Sequence, residues 1–192
     1  MSDTQNLGDL PQDLPAPVDD GAADHLPGTT LPSVPLGSTS GGTIDLSALP
    51  GMSVVYCYPM TSRPDMELPD GWDDIPGARG CTPQSCAFRD LHGDLRLTGA
   101  RVFGVSTQST EYQREAAERL HLPYELLSDV GLELAKALNL PTFEADGMSL
   151  LKRLTLVILD GRILKVFYPV FPPDANAAEV VAWLRGGNPG KV

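Results

Sequence analysis

Apolar residues along this chain fall into two alternating patterns. Short, nearly continuous apolar runs are typical of strands buried on both faces, and they occur at 52–58, 101–106, 124–127, 153–159 and 163–168. Between the runs, apolar residues recur every three or four positions, which predicts helices at 83–97, 110–120, 130–138 and 174–184. The Asp160-Gly161 pair predicts a hairpin between the last two strands. This order predicts an α/β fold, with a mixed central sheet flanked by helices on both faces.

The two ends of the chain and one internal segment lack these patterns. Residues 1–25 contain six Asp and no Lys or Arg, so we predict an acidic, disordered tail. The folded domain is then expected at 26–186, with a short tail at 187–192. Residues 60–80 form a long loop rich in Pro, Gly and acidic residues, and insertions of this length in a compact domain are usually functional.

Charge and composition exclude several classes of partner. The formal net charge is −11, which argues against binding nucleic acid or an anionic membrane. No run of 18 apolar residues occurs, so no membrane-spanning helix is expected. The N-terminal residues lack the basic and apolar regions of a secretory signal. The three cysteines fit a reducing compartment better than a disulfide framework, and we therefore expect a cytoplasmic protein.

The candidate chemistry lies where the long loop meets the first predicted helix. Thr82 can serve as the N-cap and Pro83 as the first helical residue, which places Cys81 at the helix N-terminus. Backbone N–H groups and the helix dipole favour a thiolate there. Two alternatives are a small buried core residue and half of a zinc site. The loop is too polar for the first, and the second lacks another Cys/His pair at zinc-site spacing, so no metal or cofactor is expected.

The segment Gly80-Cys81-Thr82-Pro83-Gln84-Ser85-Cys86-Ala87-Phe88-Arg89-Asp90 resembles the active-site helix of the peroxiredoxins. The similarity is greatest to the Q-type, or bacterioferritin comigratory, group and extends from about residue 31 to residue 184. It implies a thioredoxin-like fold and a thiol peroxidase that reduces hydrogen peroxide and organic hydroperoxides.

The resemblance also implies a role for each site residue. Cys81 would attack the peroxide, and Cys86 would resolve the sulfenic acid as an intramolecular disulfide, the atypical 2-Cys arrangement. A thioredoxin or similar dithiol reductant would recycle that disulfide. Arg153, which opens the predicted hairpin, matches by position the arginine that the family places beside the peroxidatic sulfur. Cys57 lies inside a predicted strand and is interpreted as a core residue. We expect a monomer or weak dimer.

The chain departs from the family pattern at one position. Peroxiredoxins usually carry Thr or Ser three residues before the peroxidatic cysteine, and this chain has Ala78 there. Thr61 or Ser62 could supply the hydroxyl if the loop folds back. The departure keeps open a second function, a non-catalytic redox sensor or partner-binding module of thioredoxin-like fold. A thiol–disulfide oxidoreductase would more often show Cys-x-x-Cys, which is absent.

Overall fold

The computed structural model describes residues 10–11 and 13–187, and this part of the chain forms nine strands and five α-helices. The strands are β1 Pro35–Ser38, β2 Thr43–Asp45, β3 Met52–Cys57, β4 Arg101–Ser106, β5 Glu125–Ser128, β6 Thr142–Ala145, β7 Met148–Leu151, β8 Leu154–Leu159 and β9 Arg162–Phe167. The helices are α1 Cys81–Asp90, α2 His92–Leu97, α3 Thr110–Arg119, α4 Glu133–Leu138 and α5 Asn176–Gly186. No helix in this part of the chain is long and apolar enough to cross a membrane.

Seven strands form one mixed sheet in the order β2-β1-β5-β4-β3-β8-β9. Strands β3, β4 and β5 run parallel, whereas β8 and β9 are added antiparallel on one side and β1 and β2 on the other. Side chains of β3 point alternately to the two faces, as strand geometry requires. Tyr56 packs with α1, α2, α3 and α5 on one face, and Cys57 packs with α4 on the other. The predicted mixed sheet with helices on both faces is confirmed.

The helix predicted at 83–97 is two helices in the structure. It begins earlier, at Cys81, and it is interrupted at Leu91, whose dihedral angles of −95° and 9° leave the helical region. The predicted N-cap at Thr82 is therefore wrong by two residues, because Gly80 occupies the cap position. The helix predicted at 110–120 is α3, and its N-cap is Ser109, whose side chain accepts from the Tyr112 N–H.

A second hairpin, β6–β7, is absent from the elements predicted from the sequence. Its turn is Asp146-Gly147, the same dipeptide signal that predicts the hairpin at Asp160-Gly161. The hairpin supports the 60–80 insertion, because Trp72 is buried against Phe143 of β6 with ring centroids 6.2 Å apart. Trp72 shares this small core with Ala78, three residues before Cys81. The insertion is thus anchored close to the site by its single tryptophan.

The N-terminal segment differs from the predicted disordered tail where the structure describes it. Ala23 and Leu26 are buried in the core that contains α4, so packing continues across the predicted boundary at residue 25. Asp20 pairs with Lys152 at 2.6 Å and accepts from the Tyr168 hydroxyl at 2.7 Å. These contacts join the segment to the chain beside Arg153. Residues 1–9 and 12, and residues 188–192 of the predicted C-terminal tail, lie outside the described residues.

Candidate active site

Cys81 is the first residue of α1 and is almost fully buried, with 3% of its surface exposed. Gly80 precedes it with a φ of 103°, a conformation that glycine adopts without strain. A Cβ atom on Gly80 would also lie 2.6 Å from Pro173 Cγ and 2.9 Å from Leu10 Cδ2. Glycine is therefore required here by both backbone geometry and space. As the sequence predicted, the Cys81 sulfur lies at a helix N-terminus, where the dipole favours negative charge.

The Arg153 guanidinium lies directly against the Cys81 sulfur. Its Nη2 donates to Cys81 Sγ at 3.2 Å and to the carbonyls of Gly77, Ala78 and Arg79 at 3.3, 3.2 and 3.1 Å. Two hydrogens on Nη2 are thus shared among four acceptors. Arg153 is 3% exposed and sits in the connection between β7 and β8. The structure therefore brings together Cys81 and Arg153, 72 residues apart in sequence.

A series of buried side-chain hydrogen bonds extends from Arg153 on the side away from Cys81. This series was not predicted from the sequence. The Arg153 Nη1 donates to Gln84 Oε1, and Gln84 Nε2 donates to Asn176 Oδ1 at 3.0 Å. The Thr155 hydroxyl donates to the same Asn176 oxygen at 2.7 Å. Asn176 is the first residue of α5, where its side chain forms no capping hydrogen bond and is fully buried. The one sequence signal for this buried role was a polar residue at the first position of a helix whose other inward-facing residues are apolar.

Cys86 lies five positions after Cys81 on the same helix and is half-buried. Five residues of helix give a rise of about 7.5 Å and a rotation that leaves the two side chains about 140° apart. The corresponding Cα separation of about 8.6 Å exceeds the roughly 7 Å limit for a disulfide. Burial raises the pKa of the Cys86 thiol, partly opposed by the nearby Arg89. The folded helix therefore holds the two sulfurs apart.

The helix between the two cysteines is held in place by aromatic residues. The Tyr124 hydroxyl donates to the Ser85 carbonyl at 2.7 Å, and the Tyr56 hydroxyl donates to the Ser85 hydroxyl at 3.0 Å. The Tyr56 ring stacks on Phe88 with centroids 4.6 Å apart. These contacts stabilise the helical state of α1 around Cys86.

Among the described residues, none of the other sequence candidates, Cys57, Thr61 and Ser62, forms a hydrogen bond with the Cys81 sulfur. Cys57 is fully buried on the opposite face of the sheet, where burial raises the pKa of its thiol to about 12. The Thr61 hydroxyl donates to Gln108 Oε1 at 3.2 Å, so it is engaged elsewhere. At the position of the missing hydroxyl, the Ala78 carbonyl accepts from the Cys81 thiol at 3.7 Å. Among the described residues, no cluster of three or more His, Cys, Asp or Glu side chains could hold a metal ion.

A near-buried thiol at a helix N-terminus, with an arginine donating to its sulfur on a thioredoxin-like sheet, defines the class of thiol-based redox enzymes. The redoxin family model matches residues 26–181. Over 161 residues the chain is 31% identical to the chloroplastic peroxiredoxin Q of Sedum lineare, covering 82% of this chain and 77% of that protein. It is 30% identical to the peroxiredoxin Q of Populus jackii, covering 82% and 67%.

Solved structures agree with the sequence comparisons. Peroxidoxin BcpB of Mycobacterium tuberculosis has a TM-score of 0.68 and 29% identity, covering 84% of this chain and 98% of that one. Peroxiredoxin Q of Xanthomonas campestris shares the fold, with a TM-score of 0.63 and 20% identity over 91% of this chain and 98% of that one. The chain belongs to the redoxin family, and its predicted place among the Q-type peroxiredoxins, which are thiol peroxidases, is confirmed. The family acts on hydroperoxides with a thioredoxin-type reductant.

Proposed function

We propose that this chain reduces hydrogen peroxide and organic hydroperoxides, with Cys81 as the peroxidatic and Cys86 as the resolving cysteine. The observation that carries the assignment of Cys81 is the 3.2 Å contact between Arg153 Nη2 and its sulfur. Neither of the other cysteines has such a partner among the described residues: Cys57 is enclosed by apolar side chains, and Cys86 lies about 140° around α1 from Cys81.

In the first step, the Cys81 thiolate attacks the terminal oxygen of the hydroperoxide. The S–O bond forms as the O–O bond breaks, and the departing oxygen takes a proton to leave as water or an alcohol. The sulfur is oxidised to a sulfenic acid. The Arg153 cation stabilises the thiolate before attack and the negative charge that develops on the peroxide oxygens during it.

In the second step, α1 opens and the Cys86 thiolate attacks the Cys81 sulfur of the sulfenic acid. The S–S bond forms as the S–O bond breaks, and the departing hydroxide takes a proton to leave as water. Opening has two effects on Cys86. It removes the separation of about 8.6 Å expected for two cysteines in one helix, and it exposes a thiol whose pKa is raised by burial, which brings that pKa back towards its ordinary value. A thioredoxin-type thiolate then reduces the disulfide by thiol exchange.

A cavity beside Arg153 supports the proposal that organic hydroperoxides are substrates. Its volume is about 260 Å³, and most of its walls are apolar. Apolar residues of the insertion, of β6 and of the N-terminal segment contribute, among them Ile75, Phe143 and Pro17. A bacterioferritin comigratory protein of Xanthomonas campestris, 21% identical to this chain, is described as having alkyl peroxide reduction activity. A small alkyl or aryl group fits such a cavity.

Peroxide consumption coupled to thioredoxin, thioredoxin reductase and NADPH tests the proposal. We expect wild type and Cys57→Ala to turn over both hydrogen peroxide and cumene hydroperoxide. Cys81→Ser should be inactive, and Cys86→Ser should react once without recycling. If Cys81→Ser retained turnover, Cys81 would not be the peroxidatic residue. If the wild type were oxidised once and never recycled by any dithiol reductant, the redox-sensor function would replace the peroxidase.

We also propose a monomer or weak dimer in a reducing compartment such as the cytoplasm. All three cysteines are free in the structure, which suits a reducing environment. The plant relatives named above are chloroplastic, so the compartment has to be tested for this chain directly. Sedimentation equilibrium would determine the oligomeric state, and cell fractionation with an antibody to the chain would determine the location.

A further inference from the structure

A continuous line of hydrogen bonds joins the start of α5 to the Cys81 sulfur. From Asn176 it passes through the Gln84 amide, at 3.0 Å, to the Arg153 guanidinium and then to Cys81 Sγ at 3.2 Å. Gln84 and Asn176 are fully buried, and Arg153 is nearly so. Water therefore does not compete for these groups, and the direction of each bond determines the orientation of the next side chain.

The orientations in this line all follow from Arg153. A guanidinium is a donor only, so Gln84 must present its carbonyl oxygen to Arg153. The Gln84 NH₂ group then faces Asn176, so Asn176 must accept this hydrogen bond with its side-chain oxygen. Thr155 donates to that same oxygen, so Asn176 Oδ1 accepts two hydrogen bonds from two different elements. Rotating either amide by half a turn would place two donors against each other.

The Asn176 amide nitrogen, in contrast to its oxygen, makes no favourable contact that would explain a polar residue here. Among the described residues, its Nδ2 has no hydrogen-bond partner although it is buried. Buried polar groups are normally paired, and an unpaired one is unfavourable for stability. An apolar residue at this position would avoid that penalty. The feature that only a polar residue provides is the oxygen that Gln84 and Thr155 share.

The start of α5 is also rigidly placed relative to the site. Pro173, in the turn that leads into α5, packs so closely on Gly80 that a Cβ there would lie 2.6 Å from its Cγ. One turn further on, Ala177, Val180 and Val181 anchor α5 in the same core that contains Cys81. Asn176 is thus fixed to the framework that supports both the N-cap of α1 and Gln84.

We propose that Asn176 is a positioning residue for the peroxidatic cysteine. It holds the Gln84 amide in one orientation, and Gln84 in turn holds the Arg153 guanidinium with Nη2 against the sulfur. Without the Asn176 oxygen, the Gln84 amide can rotate, and the guanidinium loses the acceptor that fixes its plane. This inference rests on the proposed function, because the geometry that Asn176 maintains is the one used in the attack on peroxide.

The test compares variants that remove or keep the shared oxygen. Asn176→Leu removes it at similar size, and Asn176→Asp keeps an acceptor in the same place. Leu184→Ala is the matched control, because it removes buried contacts from the same helix, about two turns beyond Asn176, without touching the polar line. Two readouts are followed in reduced protein: the second-order rate of Cys81 oxidation by hydrogen peroxide, and the pH dependence of Cys81 alkylation, identified by peptide mapping.

We expect Asn176→Leu to slow peroxide oxidation by about tenfold to a hundredfold, the usual effect of a small misplacement of a reacting group. Its alkylation profile should move to higher pH, because the guanidinium no longer favours the thiolate as strongly. Asn176→Asp should recover most of the rate. Leu184→Ala should match the wild type in both readouts even though its melting temperature falls.

Three results would overturn the proposal. The first is a folded Asn176→Leu protein with the wild-type rate and alkylation profile. The second is an equal loss in Leu184→Ala, which would mean that lower stability alone explains the effect. The third applies if Asn176→Leu fails to fold: Thr155→Val then replaces it, with Thr155→Ser as its rescue, and equal rates in that pair would refute the role. If wild-type protein does not react with peroxide, the proposed function fails, and the alkylation profiles still test the positioning.

Discussion

Replacing Arg153 tests the central contact of the site most directly. Arg153→Met removes the charge and both donor nitrogens at similar length. Arg153→Lys keeps the charge but offers a single nitrogen, which cannot reach the Cys81 sulfur and Gln84 together as the two guanidinium nitrogens do. Comparing the two variants separates the contribution of the charge from that of the fork-shaped geometry.

The size of the effect can be worked from the structure. Two unit charges 3.2 Å apart, as Arg153 Nη2 and a Cys81 thiolate would be, attract by about 5 kcal/mol at an effective dielectric constant near 20. Part of that attraction is already present in the resting thiolate and does not lower the barrier. Loss of one preorganised donor to a developing anion typically slows a reaction by about 10²–10³-fold. We therefore expect about a hundredfold loss for Arg153→Lys and about a thousandfold loss for Arg153→Met.

The assay is stopped-flow oxidation of reduced protein by hydrogen peroxide, followed by the fluorescence of Trp72, which is buried in the loop that leads to Cys81. Arg79→Lys is the matched control, because Arg79 lies two residues before Cys81 but pairs with Asp73 at 3.1 Å rather than with the sulfur. Its rate should stay within about threefold of wild type, as expected for a partly exposed ion pair. Circular dichroism would confirm that each variant is folded.

Either of two outcomes would refute the reasoning. If Arg153→Met kept its rate within about fivefold of wild type, the contact with the sulfur would have little part in the transition state. If Arg79→Lys lost as much as Arg153→Lys, replacing any arginine near the loop would slow the reaction, and the contact of Arg153 with the sulfur would not be the specific cause. Arg153→Lys close to wild type, with Arg153→Met strongly impaired, would assign the effect to charge and remove the fork geometry from the mechanism.

Three other expectations concern the cysteines. Burial raises the pKa of the Cys57 thiol from 9.0 to about 12, so its contribution to the free energy of unfolding is full below pH 9 and is lost as the pH rises towards 12. In urea unfolding, the stability advantage of wild type over Cys57→Ala should therefore shrink by about 1.4 kcal/mol between pH 8 and pH 10. Parallel pH profiles of the two proteins would contradict this expectation. Cys86→Ser should accumulate a sulfenic acid on Cys81 that dimedone traps, and continued recycling by thioredoxin would show another resolver. On disulfide formation, amides at 85–89 should lose protection from hydrogen exchange; unchanged protection, with the disulfide confirmed by mass, would exclude unwinding.

The sheet could be predicted from the sequence because its central strands are buried on both faces. A strand such as β3 gives a short, continuous apolar run that few other elements produce, and β4 and β8 give the same signal. The pairing of Cys81 with Arg153 came from the resemblance to a family. Local patterns could not supply it, because 72 residues separate the two side chains.

The parts that were missed depend on contacts between distant segments. Asn176 follows a helix-start pattern, and only the fold shows that Gln84, 92 residues earlier, uses its oxygen. The cap of α1 was misplaced for a similar reason, since Gly80 is required by the nearness of Pro173. The N-terminal segment reads as disordered from its composition, yet the pairing of Asp20 with Lys152 fixes part of it. Sequence patterns depend on residues that are close together along the chain. Each of these features depends instead on a contact with a residue that is distant in sequence.

The structure also gives a physical account of how the site is built without the side-chain hydroxyl at position 78. The Ala78 carbonyl accepts from both the Cys81 thiol and Arg153, so the backbone of this loop orients the two groups. When the thiol ionises, its donation to that carbonyl ends and the sulfur becomes a stronger acceptor, which draws the shared Nη2 hydrogens towards it. Such an arrangement requires the loop to hold its carbonyls still. Trp72 is buried with Ala78 against the β6–β7 hairpin and so anchors this loop. We propose that the insertion and the hairpin together take over a positioning task that the family usually gives to one hydroxyl.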